Sequence, residues 1–292
     1  MNIGRPPRRP SRSWQRLVTH VELGAAFQAR HIEVEIERAT NFAPEMQASH
    51  ALATLSAAGF DHAPVIEDGL VIGYCSREDL ASGSDATQLR RAMTPLGDGN
   101  LVSSDTPIGD LLDLFAEQPF LFVLDGGDIT GFVTVTDLNK QPARAYLYLV
   151  LAGLEIALAD LVRWHYGRQQ TKLLRFLGKR DQDSVKSRYG GDRSRDADAD
   201  FVSYMGFKHL LRIFEKDREM RNELGSYSQR SWRSATWPLS ELRNDVMHPI
   251  SSFVSSGEDV ALLAYHVAQA RMLVDASVDA LRRRYAVPDP GT

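Results

Sequence analysis

The stretch FDHAPVIEDGLVIGYCSREDL, residues 60–80, returns in outline as PFLFVLDGGDITGFVTVTDL, residues 119–138. The two copies align without a gap around their closing motif, where Gly73 corresponds to Gly131, 58 positions later (131 − 73). Similarity at a fixed spacing indicates that one supersecondary unit occurs twice. The N-terminal half therefore predicts two copies of the same small fold.

Each copy has the pattern of a helix followed by two strands. Apolar, β-branched and aromatic residues flank an acidic turn that contains glycine, which is typical of a hairpin. A stretch with apolar residues at helical spacing precedes each hairpin. The predicted elements are helices at 46–58 and 108–116, first strands at 63–66 and 120–124, and second strands at 70–75 and 129–135. Such an α-β-β unit buries its sheet only against another layer, so we expect the two units to pack together as an α+β domain.

Both copies end in the pattern Gly-x-x-Ser/Thr-x-x-Asp, at residues 73–79 and 131–137. The hydroxyl residues, Ser76 and Thr134, can cap the following helix and offer hydroxyl and backbone N–H groups to a phosphate. The acidic residues three positions later can accept the hydrogen bonds of a ribose diol. These acidic residues are Asp79 and Asp137, and the strand residues expected to line a slot for a purine include Val65 and Phe122.

The doubled unit resembles a CBS-domain pair (a Bateman module) over about residues 17–140. The resemblance implies a regulatory domain that binds an adenine nucleotide: AMP, ADP or ATP. The residues implied to hold this ligand are Ser76, Asp79, Thr134 and Asp137. A dimerisation platform that binds nothing is also open, in which the hydroxyl residues are plain N-caps and the aspartates are solvated. The entry HIEVEIERATNFAP, residues 31–44, departs from the usual pattern, so the first slot is the less regular one.

From Ala143 onward the pattern is helical, with no convincing strand. Leucines at steps of three and four residues give residues 145–166 a long apolar face. The other predicted helices are 169–177, 201–216, 259–285 and a short helix at 240–248 with Ser240 as its N-cap. Residues 181–200 are polar and rich in Gly, Ser and charge, which predicts a mobile loop. The fold class is therefore an α+β pair followed by an all-α bundle.

The helical half contains Arg243-Asn244-Asp245-Val246-Met247-His248, followed by Pro249. Histidine titrates near neutrality and can take and give a proton, whereas arginine is always charged and binds phosphate in a forked geometry. On a straight helix Asn244 and His248 share a face, and Arg243 lies roughly 140° from His248. One copy of the motif is therefore not expected to close a site alone, while two copies across a dimer axis can. Pro249 disfavours helical geometry at His248, so we expect the helix to end there.

This motif resembles the hallmark of the HEPN superfamily: Arg, a polar residue that is often Asn, three or four further residues, and His. Over about residues 143–286 the resemblance implies a helical bundle that forms a homodimer and cuts single-stranded RNA without a metal. It implies that His248 is general acid or base, that Arg243 stabilises charge on the phosphoryl oxygens, and that Asn244 positions the phosphate or His248. Neither a catalytic cofactor nor a metal ligand is expected.

The sequence thus predicts a nucleotide-regulated endoribonuclease. The alternative is a non-enzymatic adenine-nucleotide sensor or dimeric scaffold whose helical domain binds a partner. In that case Arg243 pairs with Glu241 or Asp245 on a solvated face, and His248 only caps its helix.

Composition and charge agree with a regulatory N-terminal domain and an RNA-binding C-terminal domain. The chain is 43% hydrophobic and 25% charged, as in ordinary soluble proteins. Residues 143–292 hold 23 Lys and Arg against 19 Asp and Glu, a balance of +4, whereas residues 1–142 hold 11 against 19, a balance of −8. We therefore expect RNA contact in the C-terminal half. The single cysteine, Cys75, excludes an intramolecular disulfide and a cysteine-rich zinc site, and a reducing cytoplasm is the simplest compartment.

Three further segments bear on localisation and order. The apolar run at residues 145–162 is interrupted by Glu155 and Asp160, which favours a bundle helix over a membrane span. Residues 1–16 contain arginines but no apolar core of a secretory signal, so they predict a disordered basic tail. Residues 287–292 predict a flexible tail.

Overall fold

The computed structural model describes residues 13–17, 19–83, 87–193 and 200–286. The chain divides into two compact units. The N-terminal unit is formed by His20–Arg144 together with Ser252–Leu262, and the helical unit mainly by Ala145–Ser251 and the chain from Leu263 onward. The sequence predicted one uninterrupted domain over residues 143–286. The inclusion of Ser252–Leu262 in the N-terminal unit corrects that boundary.

The N-terminal unit contains two sheets and five helices among its described residues. Its strands are β1 (Val34–Glu35), β2 (His62–Glu67), β3 (Leu70–Ser76), β4 (Thr94–Pro95), β5 (Leu101–Ser103), β6 (Phe120–Asp125) and β7 (Asp128–Thr134). Its helices are α1 (His20–Ala26), α2 (Ala48–Ala58), α3 (Arg77–Ser82), α4 (Leu89–Ala92) and α5 (Ile108–Leu114). The strand orders are β2-β3-β4 in one sheet and β1-β7-β6-β5 in the other.

The two predicted α-β-β repeats are present as α2-β2-β3 and α5-β6-β7, each with an antiparallel hairpin. The short entry strands are exchanged between the repeats, because β1 pairs with β7 and β4 pairs with β3. This exchange brings a neighbouring backbone close to each signature glycine. A Cβ atom at Gly73 would lie 2.2 Å from the Thr94 carbonyl oxygen, and one at Gly131 would lie 2.6 Å from that of Val34. The motif therefore needs glycine at both positions for strand packing.

Aromatic residues from both repeats form a common cluster. The Tyr74 ring stacks on Phe120 at a centroid distance of 4.5 Å, and Phe120 stacks on Phe132 at 4.8 Å. Burying side chains of this size stabilises a fold by about 1.5–3 kcal/mol each. Next to Tyr74, Cys75 has no exposed surface, and burial raises the pKa of its thiol to about 12. Cys75 is therefore a core residue with little thiolate character.

The helical unit is built on six helices among the described residues. They are α6 (Gln141–Tyr166), α7 (Lys179–Arg193), α8 (Phe207–Lys216), α9 (Arg218–Glu223), α10 (Gln229–Met247) and α11 (Gly257–Ala286). Two 3₁₀ segments, Gly167–Phe176 and Phe201–Tyr204, replace the predicted helix at 169–177 and the start of the one at 201–216. Helices α8 and α10 pack through Trp232, which stacks on Phe214 and donates its indole N–H to the Leu211 carbonyl at 3.0 Å.

The long apolar helix is α6, and its predicted leucine face is buried. The leucines on this face are Leu147, Leu151, Leu154, Leu158 and Leu161. Among the described residues, α6 alone has the length and composition to cross a membrane. However, 61% of its most apolar 18-residue window is buried inside the protein.

The polar segment predicted as a loop is helical over most of its length, because α7 covers residues 179–193. Val185 and Tyr189 lie one helical turn apart and anchor this helix. Val185 has no exposed surface, and the Tyr189 ring meets Phe201 edge-on at 5.2 Å. Two contacts on one face can hold a helix whose composition is otherwise polar. Residues 194–199 of the predicted loop lie outside the described residues.

The motif helix is longer than predicted. Helix α10 begins after Ser228, whose side chain accepts the N–H of Ser231 at 3.0 Å, and it continues through Pro238. Ser240 is therefore a buried interior residue, and its prediction as the N-cap was wrong. Proline at this position removes one helical N–H, which is a local loss that the rest of a packed 19-residue helix tolerates.

The N-terminal tail is partly ordered. Residues Ser13–Arg16 form a 3₁₀ turn, so this part of the predicted disordered tail is corrected. The backbone N–H of Trp14 donates to the Asp160 carboxylate at 2.9 Å, and the Trp14 ring stacks on the ring of Tyr285. These contacts with α6 and α11 hold the turn in place, and a composition argument did not anticipate them. Residues 1–12 and 287–292 lie outside the described residues.

A buried ionic network holds α6 to the segment before α8. Asp160 has no exposed surface and pairs with Arg163 at 3.0 Å. Arg163 also donates to the Asp200 carboxylate at 2.7 Å and to the Ser203 hydroxyl at 3.1 Å. Burial raises the pKa of Asp160, and the Trp14 N–H and Arg163 oppose that rise. Such a carboxylate depends on its cation, because an unpaired buried charge is costly.

Candidate functional sites

The first signature opens into a cavity of about 810 Å³, here called the first cavity. Ser76 is the N-cap of α3, and its hydroxyl oxygen accepts the Asp79 N–H at 3.0 Å. The same hydroxyl donates to the Asp79 carboxylate at 2.6 Å. Asp79 is exposed at the lining of this cavity, which leaves its carboxylate accessible to a ligand.

The second signature lines a smaller cavity of about 350 Å³, the second cavity. The Thr134 N–H and hydroxyl both donate to the Asp137 carboxylate, at 2.7 and 2.9 Å. Asp137 is only 6% exposed and pairs with Lys140 at 2.9 Å. Asp137 is therefore not a solvated first-turn residue. It is a fixed, ion-paired acceptor at the wall of a cavity.

Four residues that the sequence did not single out line both cavities: Asp61, His62, Pro119 and Val135. Burial lowers the pKa of His62, while Asp61 and Asp79 oppose that fall. Under the 58-residue offset, Asp61 and His62 correspond to Pro119 and Phe120. The signal that could have found Asp61, His62 and Pro119 is their position at the start of the first strand of a repeat, whereas Val135 follows the second strand of the second repeat.

The two residues that were predicted to line a purine slot lie in the core instead. Val65 and Phe122 have no exposed surface and belong to the core, so neither lines a cavity. Tyr74 lines the first cavity and Phe132 the second. A strand presents alternate residues to opposite faces, and apolar composition alone does not say which face meets a cavity.

The arginine–histidine motif lies at the end of α10. The helix ends at Met247, and His248 is its C-cap, with φ −100° and ψ 88°. Asn244 and His248 are exposed, whereas Arg243 is half-buried. The predicted end of the helix is confirmed, and the burial pattern agrees with Arg243 lying on a different face from the other two. His248 is thus both a cap and an accessible imidazole.

Arg243 has a buried donor with no partner. Its Nε atom is buried and makes no hydrogen bond among the described residues. Burial raises the pKa of the half-buried Glu155, and the charge of Arg243 and a hydrogen bond from the Phe207 backbone oppose that rise. The scaffold alternative placed Arg243 on a solvated face, but this residue is half-buried. Its Nε–H is a donor that the described residues leave without a hydrogen bond.

Comparison with known families decides the nature of the N-terminal repeats. Residues 37–84 and 100–143, one stretch for each repeat, match the family model of the CBS domain. The N-terminal unit contains a CBS-domain pair. No curated protein matches the chain.

Three solved structures are similar to part of this chain. The CBS domain of a bacterial CNNM/CorC family Mg²⁺ transporter in complex with ATP shares 18% identity with a TM-score of 0.37, and the match covers 42% of this chain and 90% of that chain. CBSX2 from Arabidopsis thaliana shares 21% identity with a TM-score of 0.35, covering 42% and 95%. CBSX2 in complex with AMP shares 21% identity with a TM-score of 0.34, covering 38% and 92%.

One segment beyond the repeats completes the CBS pair. We call Ser252–Leu262, which belongs to this unit, the strap. The Asn139 side chain holds it, because its Oδ1 accepts the Phe253 N–H at 2.9 Å and its Nδ2 donates to the Val254 carbonyl at 2.7 Å. The Arg144 guanidinium lies 4.7 Å from the centroid of the Phe253 ring. These long-range contacts explain why a segment so late in the chain belongs to the N-terminal unit.

The strap also forms part of the wall of the first cavity. Ser255, Ser256 and Gly257 line that cavity together with Ser76 and Asp79. The backbone N–H groups of Ser255 and Ser256 donate to the Asp259 carboxylate at 2.9 and 3.0 Å, which fixes the start of α11. A ligand in the first cavity would therefore meet the segment that follows the arginine–histidine motif.

Proposed function

We propose that this protein is an endoribonuclease controlled by an adenine nucleotide bound to its CBS pair. The observation that carries the catalytic part is that the C-terminal end of α10 holds a half-buried Arg243 together with an exposed Asn244 and an exposed His248. A guanidinium can bind phosphoryl oxygens through two parallel N–H donors. The imidazole of His248 is exposed at the C-terminal end of the same helix.

In the proposed reaction the RNA 2′-OH attacks the adjacent phosphorus atom. His248 accepts the 2′-OH proton or donates a proton to the departing 5′ oxygen. Arg243 stabilises the charge that develops on the phosphoryl oxygens, and Asn244 positions the phosphate or His248. The bond to the 5′ oxygen breaks as the bond from the 2′ oxygen forms. The products are a 2′,3′-cyclic phosphate and a 5′-hydroxyl end.

Apolar surface beside the motif supports a dimeric site. Met247 is 48% exposed and Ile250 is 100% exposed, and the two residues flank His248 in sequence. Large apolar side chains in the open favour coverage by a partner surface. An isologous interface would place the motif of one protomer opposite the same motif of the other. Arg243 of one chain could then work with His248 of its partner.

A mixing experiment tests this composite site. Arg243→Gln and His248→Ala proteins are expected to be inactive alone and to regain about a quarter of wild-type cleavage when exchanged at equal concentration. Half of the dimers are then mixed, and each mixed dimer contains one intact site of two. The measurement is the initial rate on a labelled single-stranded RNA after subunit exchange. A mixture as inactive as its components would place the whole site within one chain.

The geometry of the CBS pair supports the regulatory part of the proposal. Each cavity contains a hydroxyl N-cap and an aspartate three residues later, held together by hydrogen bonds. Hydroxyl and N–H groups suit a phosphate, and a carboxylate suits the two hydroxyls of a ribose. These groups converge on cavities of about 810 and 350 Å³, which are in the size range of small-molecule sites.

We expect Asp79→Ala to lower the affinity of the first cavity for AMP, ADP or ATP by about tenfold or more, because a charged acceptor of two hydroxyls is lost. Asp137→Asn should weaken binding in the second cavity in the same way. Isothermal titration calorimetry of each variant measures both effects. Asp128→Ala removes an exposed carboxylate that lines neither cavity and is the matched control. Identical titrations for all three variants would show that Asp79 and Asp137 do not bind the nucleotide, and would contradict the proposed regulation.

The strap connects the first cavity to the arginine–histidine motif along the chain, so nucleotide binding can affect the motif through it. It starts four residues after His248, and its Ser255–Gly257 portion lines the first cavity. A ligand shifts an equilibrium only through differential contacts with two states. Contacts between nucleotide and strap would supply such a difference, so the first cavity is the one proposed to control cleavage.

A further inference from the structure

A third cavity, here called the basic cavity, lies within the helical unit and belongs to neither site above. It has a volume of about 470 Å³ and is formed by the 3₁₀ segment Gly167–Phe176 and the junction of α8 and α9. Its charged lining residues are Lys172, Arg175, Lys216, Arg218, Asp217 and Glu219. Four cations against two carboxylates leave a balance of +2.

The carboxylate of Asp217 is already used by the protein. One oxygen accepts the N–H groups of Glu219 at 3.0 Å and Met220 at 3.3 Å, which caps α9. The other oxygen accepts the hydroxyl of Tyr166. The Asp217 carboxylate is therefore held by α9 and Tyr166, and the structure shows no hydrogen bond between it and the lysines and arginines of the cavity among the described residues. Glu219 is mostly exposed and lies 3.7 Å from His165.

The cations that line the basic cavity are exposed. Lys172, Lys216 and Arg218 are exposed, and none of them forms an ion pair among the described residues. The Arg175 guanidinium lies 4.6 Å from the centroid of the Phe176 ring and donates to the Tyr166 hydroxyl at 3.5 Å. Like charges that converge on one concave site repel one another, and a bound anion relieves that repulsion.

We infer that the basic cavity binds an oligophosphate, a chain of two or more phosphate groups carried by a free nucleotide or by the 5′ end of an RNA. A terminal phosphate carries a charge of about −1.5 to −2 at pH 7, so four cations suit more than one phosphate. The Tyr166 and Phe176 rings are buried, and neither offers an open face on which a base could stack. Recognition would therefore rest on the phosphates. This inference does not depend on RNA cleavage or on the CBS cavities.

Calorimetric titration of the full-length protein with inorganic tripolyphosphate tests the inference, because this probe has no adenosine for the CBS pair to recognise. We expect saturable binding that weakens with added salt. Lys172→Gln and Arg218→Gln should each weaken it by about threefold to tenfold. Glu219→Gln should tighten it, which a purely structural role would not produce. Lys186→Gln removes an exposed lysine of α7 outside the cavity and should change nothing.

The absence of saturable binding would overturn the inference. So would Lys172→Gln and Arg218→Gln proteins that bind as tightly as Lys186→Gln. Two competition arms identify the source of the phosphate chain. Displacement of tripolyphosphate by a 5′-triphosphorylated RNA, and not by its 5′-hydroxyl form, in the His248→Ala protein points to an RNA end. Displacement by ATP in a protein carrying Asp79→Ala and Asp137→Ala points to a free nucleotide.

Discussion

Replacing His248 with alanine is expected to lower the rate of RNA cleavage by about 100-fold or more, because a positioned general acid or base contributes at least that factor. The fold should survive, since His248 is exposed and lies at the end of α10. Loss of its interaction with the helix terminus should cost about 0.3–1 kcal/mol of unfolding free energy. Single-turnover cleavage of a labelled single-stranded RNA and a thermal melt measure the two effects separately.

The matched control is His50→Ala, which removes an exposed histidine from α2 in the CBS pair. It should leave the cleavage rate unchanged. Equal rates for His248→Ala and wild type would show that any cleavage arises elsewhere. A His248→Ala protein that melts far below wild type would instead show that the side chain is structural.

The second large effect concerns stability. Arg163→Ala is expected to lower the free energy of unfolding by about 3–5 kcal/mol, because Asp160 then keeps a buried charge without its cation. Asp160 has no exposed surface, and Arg163 is the residue with which it pairs, at 3.0 Å. Arg163 also joins Asp200 to α6, so the segment before α8 loses its ionic contact as well. Urea unfolding followed by circular dichroism measures the change.

Arg282→Ala provides the comparison, because Arg282 pairs with Asp279 at 3.1 Å where both side chains are more than half exposed. Exposed pairs contribute about 0–1 kcal/mol, so this variant should unfold almost as wild type does. Equal losses for the two variants would show that burial of Asp160 does not set the strength of the pair.

The features predicted best from the sequence are those governed by repetition and periodicity. The 58-residue offset between Gly73 and Gly131 predicted two α-β-β units, and both are present. Leucine spacing predicted the buried face of α6. Local patterns suffice here because neighbouring residues on one face meet the same environment.

Features that depend on distant contacts were not predictable in the same way. The strap belongs to the CBS pair because Asn139 bonds to Phe253 and Val254, more than one hundred residues away. Ser240 suggested an N-cap and a helix start, but packing of Trp232 carries α10 through Pro238. The polar composition of residues 181–193 suggested a loop, but Val185 and Tyr189 anchor a helix. In each case tertiary contacts override the local signal.

Part of the candidate site was predictable and part was not. The positions Ser76, Asp79, Thr134 and Asp137 follow from a short motif. Their contrast does not, because Asp137 is buried against Lys140 whereas Asp79 is exposed. The unpartnered Nε of Arg243 also depends on how α10 packs, which no spacing of residues reveals.

The most direct test of the account is a cleavage assay on a labelled mixed-sequence RNA with chelator-treated wild-type protein, without nucleotide and with millimolar AMP, ADP or ATP. The account predicts cleavage that leaves 2′,3′-cyclic phosphate ends, at a rate that at least one nucleotide changes. Intact RNA under every condition would contradict it. The protein would then be better described as a nucleotide sensor or dimeric scaffold, with the CBS pair as its functional site.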